Sequence, residues 1–124
     1  MSTIKATTLS NLAGSKTVPT DTVVDGSAKA WVNFNGTGTV AIRRAFNVSS
    51  ITDNGTGNYA VNFTNPMTDA NYAALVTGGD TSSGTTLSQS PFNTSPTVNA
   101  VQVLITNSVF TATDRPFVQV AIFC

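Results

Sequence analysis

From residue 29 onward, short runs of alternating apolar and polar residues are separated by turns rich in Asn, Gly and Thr. Tyr59, Val61 and Phe63 alternate with small or polar neighbours, and this period of two is typical of a strand with one buried face. Residues 35–38 and 54–57 both have the sequence Asn-Gly-Thr-Gly, which supplies the positive φ angles of tight turns. The pattern predicts an all-β domain built largely from hairpins.

The composition agrees with strands and turns. Ser, Thr and Asn account for 45 of the 124 residues, whereas charged residues make up only 10%. Thr favours strands, and Asn and Ser favour turns. We predict no helix, because no window combines apolar residues at helical spacing with capping residues at both ends.

Strands are predicted at residues 31–34, 40–46, 72–77, 98–106 and 117–123. Residues 45–52 and 58–64 are predicted to form a hairpin across the five-residue turn 53–57. Residues 78–96 contain little that could be buried besides Leu87 and Phe92, so they are predicted to form one long exposed loop.

The first 28 residues contain no aromatic residue, and their apolar residues are scattered. A segment with so little to bury cannot hold itself together through hydrophobic area. We therefore divide the chain into an extended N-terminal arm, residues 1–28, and a β-sandwich domain, residues 29–124. The arm is expected to lie on another surface.

The last predicted strand is apolar on both faces, with Val118, Val120 and Ile122 opposite Phe117, Ala121 and Phe123. Both faces of such a strand must be shielded from water. The opposite sheet buries one face, and either a neighbouring subunit or the rest of the chain buries the other. The candidate oligomer interface comprises Phe117, Val118, Val120, Ile122 and Phe123.

The chain has few side chains that could act in catalysis, because it contains no His and no Glu. A Ser-His-Asp arrangement is therefore impossible, and neither zinc nor calcium finds ligands at a known spacing. Asp53, Asp69, Asp80 and Asp114 lie at predicted turns, where a carboxylate usually caps the turn. The chain is accordingly predicted to be no enzyme, with no cofactor and no metal site.

Two other features have competing interpretations. Only one of Arg43 and Arg44 is expected to face a ligand, because adjacent strand residues point to opposite faces. Trp31 favours a place in the core or an interface, and stacking on a sugar ring is the alternative. Cys124 either ends a buried strand as a small apolar residue or lies near a symmetry mate.

Charge and hydropathy restrict location and partners. The net charge is zero, which gives no general attraction for nucleic acid. The first ten residues lack the apolar run of a signal peptide, and no segment approaches the roughly 20 apolar residues of a membrane span. The chain is expected to be made and kept in a cytoplasm, without nucleic acid or membrane insertion.

Three segments of the chain form one recognisable set: AKAWVNFNGTGTVAIR at 28–43, FNVSSITDNGTGNYAVNF at 46–63 and DANYA at 69–73. In these segments the chain resembles a module of tailed-bacteriophage structural proteins, especially tail fibre or fibre-like proteins of cyanophages and other aquatic phages. The ending FVQVAIFC is similar to the final strand of phage fibre tips, and the opening MSTIKATTLSNLAGS is similar to the short N-termini of such proteins. The resemblance carries no catalytic motif and transfers no functional residue.

The resemblance implies a virion protein, assembled in the host cytoplasm and usually a homotrimer. The predicted fold is an all-β, antiparallel β-sandwich, jelly-roll-like and trimeric, with an extended N-terminal arm for virion attachment or subunit exchange. Its partners would be copies of itself, other phage structural proteins and a host surface glycan or protein. The candidate receptor-facing residues of the long loop are Asp80, Thr81, Ser82, Ser83, Thr85, Gln89 and Asn93.

The expected function is that of a short tail fibre or spike tip that binds the host surface. The alternative is a capsid decoration, or cement, protein that stabilises the phage head. A short arm and one domain, without the long shaft of typical fibres, favour either this alternative or a compact fibre attached at a tail or capsid vertex.

Overall fold

The computed structural model describes residues 1–82 and 84–124, and in these residues it contains ten strands and one short helix. Strands make up 48% of the structure. In chain order the elements are β1 (Thr8–Ser10), β2 (Thr17–Pro19), α1 (Thr20–Gly26), β3 (Ala28–Asn35), β4 (Ala41–Phe46), β5 (Val48–Asp53), β6 (Asn58–Phe63), β7 (Ala73–Gly79), β8 (Thr86–Gln89), β9 (Ala100–Asn107) and β10 (Phe117–Phe123).

Eight of these strands form two four-stranded sheets. The first sheet has the order β4-β3-β10-β7, and the second sheet has the order β5-β6-β9-β8. Every neighbouring pair of strands is antiparallel. The prediction of an all-β, antiparallel fold is confirmed.

The core lies between the two sheets and explains the alternation of the sequence. Every second residue of the central strands is buried: Ala30, Val32, Phe34, Val118, Val120 and Ile122 in the first sheet, and Tyr59, Val61, Phe63, Val101, Val103 and Ile105 in the second. Phe34 meets Tyr59 edge to face across the interior, with ring centroids 5.1 Å apart. Each such buried side chain contributes about 1.5–3 kcal/mol of hydrophobic stabilisation.

Asn47 carries the chain from the first sheet to the second. It has a positive φ of 54°, and its amide nitrogen donates to the Lys29 and Asn65 carbonyls at 3.0 and 3.2 Å. Its side-chain oxygen accepts the Asn65 N–H at 2.8 Å. The single strand predicted over 45–52 is therefore wrong, because the backbone turns at Asn47 and changes sheet.

The predicted hairpin across residues 53–57 is confirmed as β5 and β6. The Asp53 carboxylate accepts the Gly55 N–H at 3.0 Å and caps the turn. Gly57 has a φ of 66°, and its position leaves no room for a Cβ beside the Ile105 carbonyl. Both constraints require glycine.

The prediction of one long loop at 78–96 is wrong in part. Strand β7 continues to Gly79, and β8 lies inside the segment as an edge strand, with Leu87 opposite Thr106. Four residues with a single large apolar side chain gave too weak a pattern to indicate a strand. Hydrogen bonding to β9 stabilises this strand, although its local sequence shows no strand pattern.

The arm predicted at residues 1–28 ends one residue earlier, because β3 begins at Ala28, and residues 1–27 are not fully extended. Strands β1 and β2 pair as a small hairpin, and α1 follows directly, although no helix was predicted. The helix has only seven residues, too few to produce a periodic pattern. The Ser27 hydroxyl and the Lys29 ammonium donate to the Val23 and Val24 carbonyls, which satisfies carbonyls at its C-terminus. All of residues 1–27 are described, and none is buried.

Candidate functional site

The outer face of the first sheet carries apolar side chains that lie outside the core. Strand pairing aligns Phe46 with Trp31, Trp31 with Ala121, and Ala121 with Leu75. These four side chains, which we call the apolar row, cross all four strands. Phe46 is 55% exposed and Leu75 is 56% exposed, while Trp31 and Ala121 are half-buried. Contiguous exposed apolar surface of this kind marks interaction sites.

A polar row lies beside the apolar row, two residues along each strand and therefore on the same face of the sheet. It consists of Arg44, Asn33, Gln119 and Thr77. The Thr77 hydroxyl donates to the Gln119 side-chain oxygen at 2.9 Å. A shallow depression of about 340 Å³ lies between the two rows, lined by Trp31, Leu75 and their polar neighbours.

Both Arg43 and Arg44 lie on this outer face, contrary to the prediction that only one would. A register shift at Asn33 and Phe34 sets two residues of β4 against one of β3, as in a β-bulge. The Arg43 guanidinium lies 4.6 Å from the ring centroid of Phe117. The face therefore combines apolar side chains with two adjacent cations.

The predicted oligomer interface is divided between two faces of β10. Val118, Val120 and Ile122 point into the chain's own core and are nearly inaccessible, so they are not part of the molecular surface. Phe117 and Phe123 lie on the outer face and are half-buried. The surface that another subunit could contact therefore consists of those two rings and the apolar row. The apolar row was missed because Trp31, Phe46 and Leu75 come from separate parts of the sequence.

The predicted receptor-facing residues are also divided. Asp80, Thr81, Ser82 and Thr85 are exposed in the connection between β7 and β8, and Ser83 lies outside the described residues. Gln89 belongs to β8 instead. Asn93 follows β8 and lies nearer to the end of the sandwich that carries the arm, because the neighbouring Phe92 N–H donates to the Gln102 carbonyl of β9.

The connection between β7 and β8 lies at the end of the sandwich opposite the arm. The arm enters at Ala28, which pairs with Phe123, and Phe123 pairs with Ala73. Gly79 lies at the other end of the sheet, paired with Phe117. We call the two ends the arm end and the far end.

An ion pair restrains the loop at the far end. Arg115 Nη1 lies 3.1 Å from Asp80 Oδ2, the one ion pair among the residues that the structure describes. The Thr81 N–H donates to the Asp80 carboxylate at 2.6 Å. This hydrogen bond, followed by those of Ser82 and the charge of Arg115, holds the pKa of Asp80 below its usual value.

A buried polar cluster joins three loops at the same end. The Tyr59 hydroxyl lies 2.8 Å from both the Asp114 carboxylate and the Gly36 carbonyl. The Gly57 N–H donates to the same Asp114 oxygen at 2.7 Å. Burial, followed by the Asp114 carboxylate, raises the pKa of the Tyr59 hydroxyl above its usual value. The cluster gives the far end a rigid base.

The aspartates at turns largely behave as predicted. Asp53, Asp69 and Asp80 each accept a backbone N–H within two residues, so turn capping is confirmed for them. Asp114 instead makes long-range bonds. Cys124 is exposed beyond β10, so the prediction that it ends a buried strand is wrong.

In the part of the chain that the structure describes, no three His, Cys, Asp or Glu side chains form a group that could hold a metal ion. Within the same residues, no helix has the length and hydrophobicity needed to cross a membrane. The chain matches no family model, no curated protein and no solved structure.

Proposed function

We propose that the chain is a structural protein of a bacteriophage virion: a short tail fibre or spike-tip module that attaches through its arm and binds the host surface. The phage assignment rests on the sequence resemblance. The observation that supports the mode of action is the difference between the two ends of the molecule: the arm exposes individual large apolar side chains at one end, and the loop at the other end exposes polar side chains.

The arm is suited to docking because its apolar side chains have no core of their own. Ile4, Leu9 and Leu12 are all exposed, Leu12 fully so. Leaving such side chains in water forfeits the stabilisation that burial would provide. A groove on another virion protein would supply that burial.

The far end is suited to recognition of a polar surface. Asp80, Thr81, Ser82 and Thr85 present hydroxyl and carboxylate groups to solvent. The ion pair with Arg115 restrains the loop, so less flexibility is lost on binding. Hydroxyl-rich host glycans, or a polar protein surface, match this chemistry. The jelly-roll-like topology and the trimer remain predictions.

Immunogold electron microscopy of the phage particles that contain this protein tests the assignment. We expect label at the tail or at discrete fibres. Absence of label from intact particles, with the protein detected elsewhere in the lysate, would overturn the proposal.

Binding to host cells tests the far end separately. Fluorescently labelled protein should bind host cells, and the triple variant Thr81→Ala, Ser82→Ala, Thr85→Ala should bind several-fold more weakly. The matched control removes three exposed hydroxyls near the arm end, with Thr64→Ala, Thr68→Ala and Ser95→Ala, and should bind like the unmodified protein. Equal loss in both variants would contradict recognition by the far end.

Capsid decoration is the second candidate. The exposed apolar residues of the arm would lie across neighbouring capsid subunits, and the sandwich would cover the boundary between those subunits. Label distributed over the whole head, with none at the tail, would favour this function over the fibre.

A further inference from the structure

We propose that helix α1 of one copy docks on the apolar row of the next copy, so that the subunits join arm to face in a closed ring. This inference rests on the proposed function, because it assumes that the chain works as an assembly. The binding partner of the outer face of the first sheet is then a second copy of the chain.

Charge complementarity identifies that occupant. The four strands of the first sheet contain Lys29, Arg43 and Arg44 and no carboxylate. Helix α1, with the sequence TDTVVDG, contains Asp21 and Asp25 and no basic residue. Opposite charges on two surfaces favour their association and set its orientation.

The helix presents these carboxylates together with an apolar side chain. Residues three and four apart lie on one face of a helix, so Asp21, Val24 and Asp25 share a face. Val24 is 60% exposed. This combination matches the face of the first sheet, where an apolar row lies next to adjacent arginines.

The charges on both surfaces lack ionic partners within the chain. Among the described residues, the ion pair of Asp80 with Arg115 is the single one, so Asp25 and Arg44 pair with nothing. Asp25 also lies in the last turn of α1, where a negative charge opposes the helix dipole. An approaching guanidinium would remove that unfavourable interaction.

The connection of the arm favours docking on another copy. Only Ser27 separates α1 from β3, and the Lys29 ammonium donates to the Val24 carbonyl. Both features hold α1 at the arm end of its own sandwich, away from Leu75 on the far side of β10. A contact between two different surfaces is heterologous: it closes as a ring when the rotation between copies allows it, and otherwise it continues as a filament. The predicted trimer corresponds to the closed form.

Disulfide cross-linking tests the contact directly. The protein carries Val24→Cys and Ala121→Cys, with Cys124→Ser to remove the native thiol. Ala121 lies in the middle of the apolar row, close enough to Arg44 that Asp25 of the same helix can reach that guanidinium. After oxidation we expect covalent dimers and trimers on a non-reducing gel. The control carries Val24→Cys with Ala60→Cys, which lies on the outer face of the second sheet, and should stay monomeric.

Each other outcome overturns the docking. An internally cross-linked monomer would show that α1 covers its own face. A multimer by sedimentation with no cross-link would place the interface elsewhere, while the proposed assembly function would stand. A monomer whose single Trp31 changes fluorescence with host polysaccharide would assign the face to a glycan.

Charge reversal supplies a second, graded test in the unlinked protein. Asp25→Arg and Arg44→Asp should each weaken self-association roughly 2- to 5-fold, the range for an exposed ion pair. The two changes combined should restore it, because the pair is remade with reversed sign. Lys5→Asp, a charge reversal in the arm outside α1, is the control and should change nothing. Additive losses without restoration would contradict the pairing.

Discussion

The two sheets bury similar inner faces but differ in their outer faces. The first sheet exposes the apolar row with two arginines beside it. The second sheet exposes polar side chains that bind each other: Asn62 donates to the Ser50 and Thr52 hydroxyls at 3.0 and 2.9 Å, and Gln102 donates to Asn58 at 2.8 Å. The polar side chains of the second face already have hydrogen-bond partners, whereas burial of the apolar side chains on the first face would lower the free energy.

Because of this difference, substitutions on the inner faces should affect folding, whereas substitutions on the outer face of the first sheet should affect assembly. Inner residues of either sheet hold the sandwich together through burial. The outer residues of the second sheet add hydrogen bonds of modest net value. On the outer face of the first sheet, the exposed rings and side chains of Phe46 and Leu75 contribute little to folding of a single chain, and the docking proposed above would bury them.

The largest effect is expected from two neighbouring residues on β10. Val120→Asp places an unpaired charge in the core, which costs several kcal/mol, and should unfold the sandwich. Ala121→Asp lies on the outer face, in the apolar row, and should leave the fold intact while reducing self-association at least tenfold. Circular dichroism and analytical ultracentrifugation distinguish the two results. A folded Val120→Asp protein would mean that the inner face is not the core.

A smaller loss is expected at Asn47, where the chain passes from one sheet to the other. Asn47→Ala removes the side-chain bonds to Lys29 and Asn65 and leaves a non-glycine residue at positive φ. We expect a loss of about 2–3 kcal/mol in the free energy of unfolding, measured in urea. Asn47→Gly keeps the backbone freedom and should lose less. If the glycine variant loses as much as the alanine variant, the positive φ carries no cost.

The stability of the sandwich should depend on pH through its two buried tyrosines, Tyr59 and Tyr72. Burial, followed by the charge of Cys124, raises the pKa of Tyr72 to about 12, and burial also raises the pKa of Tyr59. Unfolded tyrosines ionise near the reference value of 10.0. The stabilisation is therefore full below pH 10.0 and is lost as the pH rises through 12.

Ultraviolet titration of tyrosinate tests this in a chain with only two tyrosines. We expect no ionisation near pH 10.0 in the folded protein, and ionisation together with unfolding at higher pH. The same titration in denaturant provides the reference. A folded-state transition at the reference pH would show that at least one hydroxyl is open to solvent.

The smallest effect is expected on the outer face of the second sheet. Asn62→Ala removes bonds to two exposed hydroxyls, so the free energy of unfolding should fall by about 1 kcal/mol or less. Self-association should not change, in contrast to Ala121→Asp on the first sheet. Weaker association of the Asn62→Ala protein would show that both outer faces take part in assembly.

Much of the fold follows from local sequence. The alternation at residues 59–63 and 101–105 predicts which side chains are buried, because successive strand residues point to opposite faces. Residues 117–123 are apolar on both faces, so their sequence predicts a strand but not which of its faces lies in the core. The turn at 53–57 and the capping roles of Asp53 and Asp69 depend on near neighbours and were also predictable. Strand β8 and helix α1 were missed because each is too short to establish a period.

The candidate site depends on non-local pairing. Trp31, Phe46, Leu75 and Ala121 form one row only because β3 and β7 flank β10 in that register. The bulge that sets Arg43 and Arg44 on the same face is likewise a property of paired strands. No local pattern indicates either feature.

The amino-acid order alone thus determined a two-faced β architecture with capped turns, because strand period and turn chemistry act over a few residues. Which strands became neighbours, and therefore which exposed residues merged into an apolar surface with cations beside it, was decided by the packing of the two sheets. Neighbouring strands are chosen by contacts between segments far apart in the chain, and the free energy of those contacts belongs to the folded molecule as a whole.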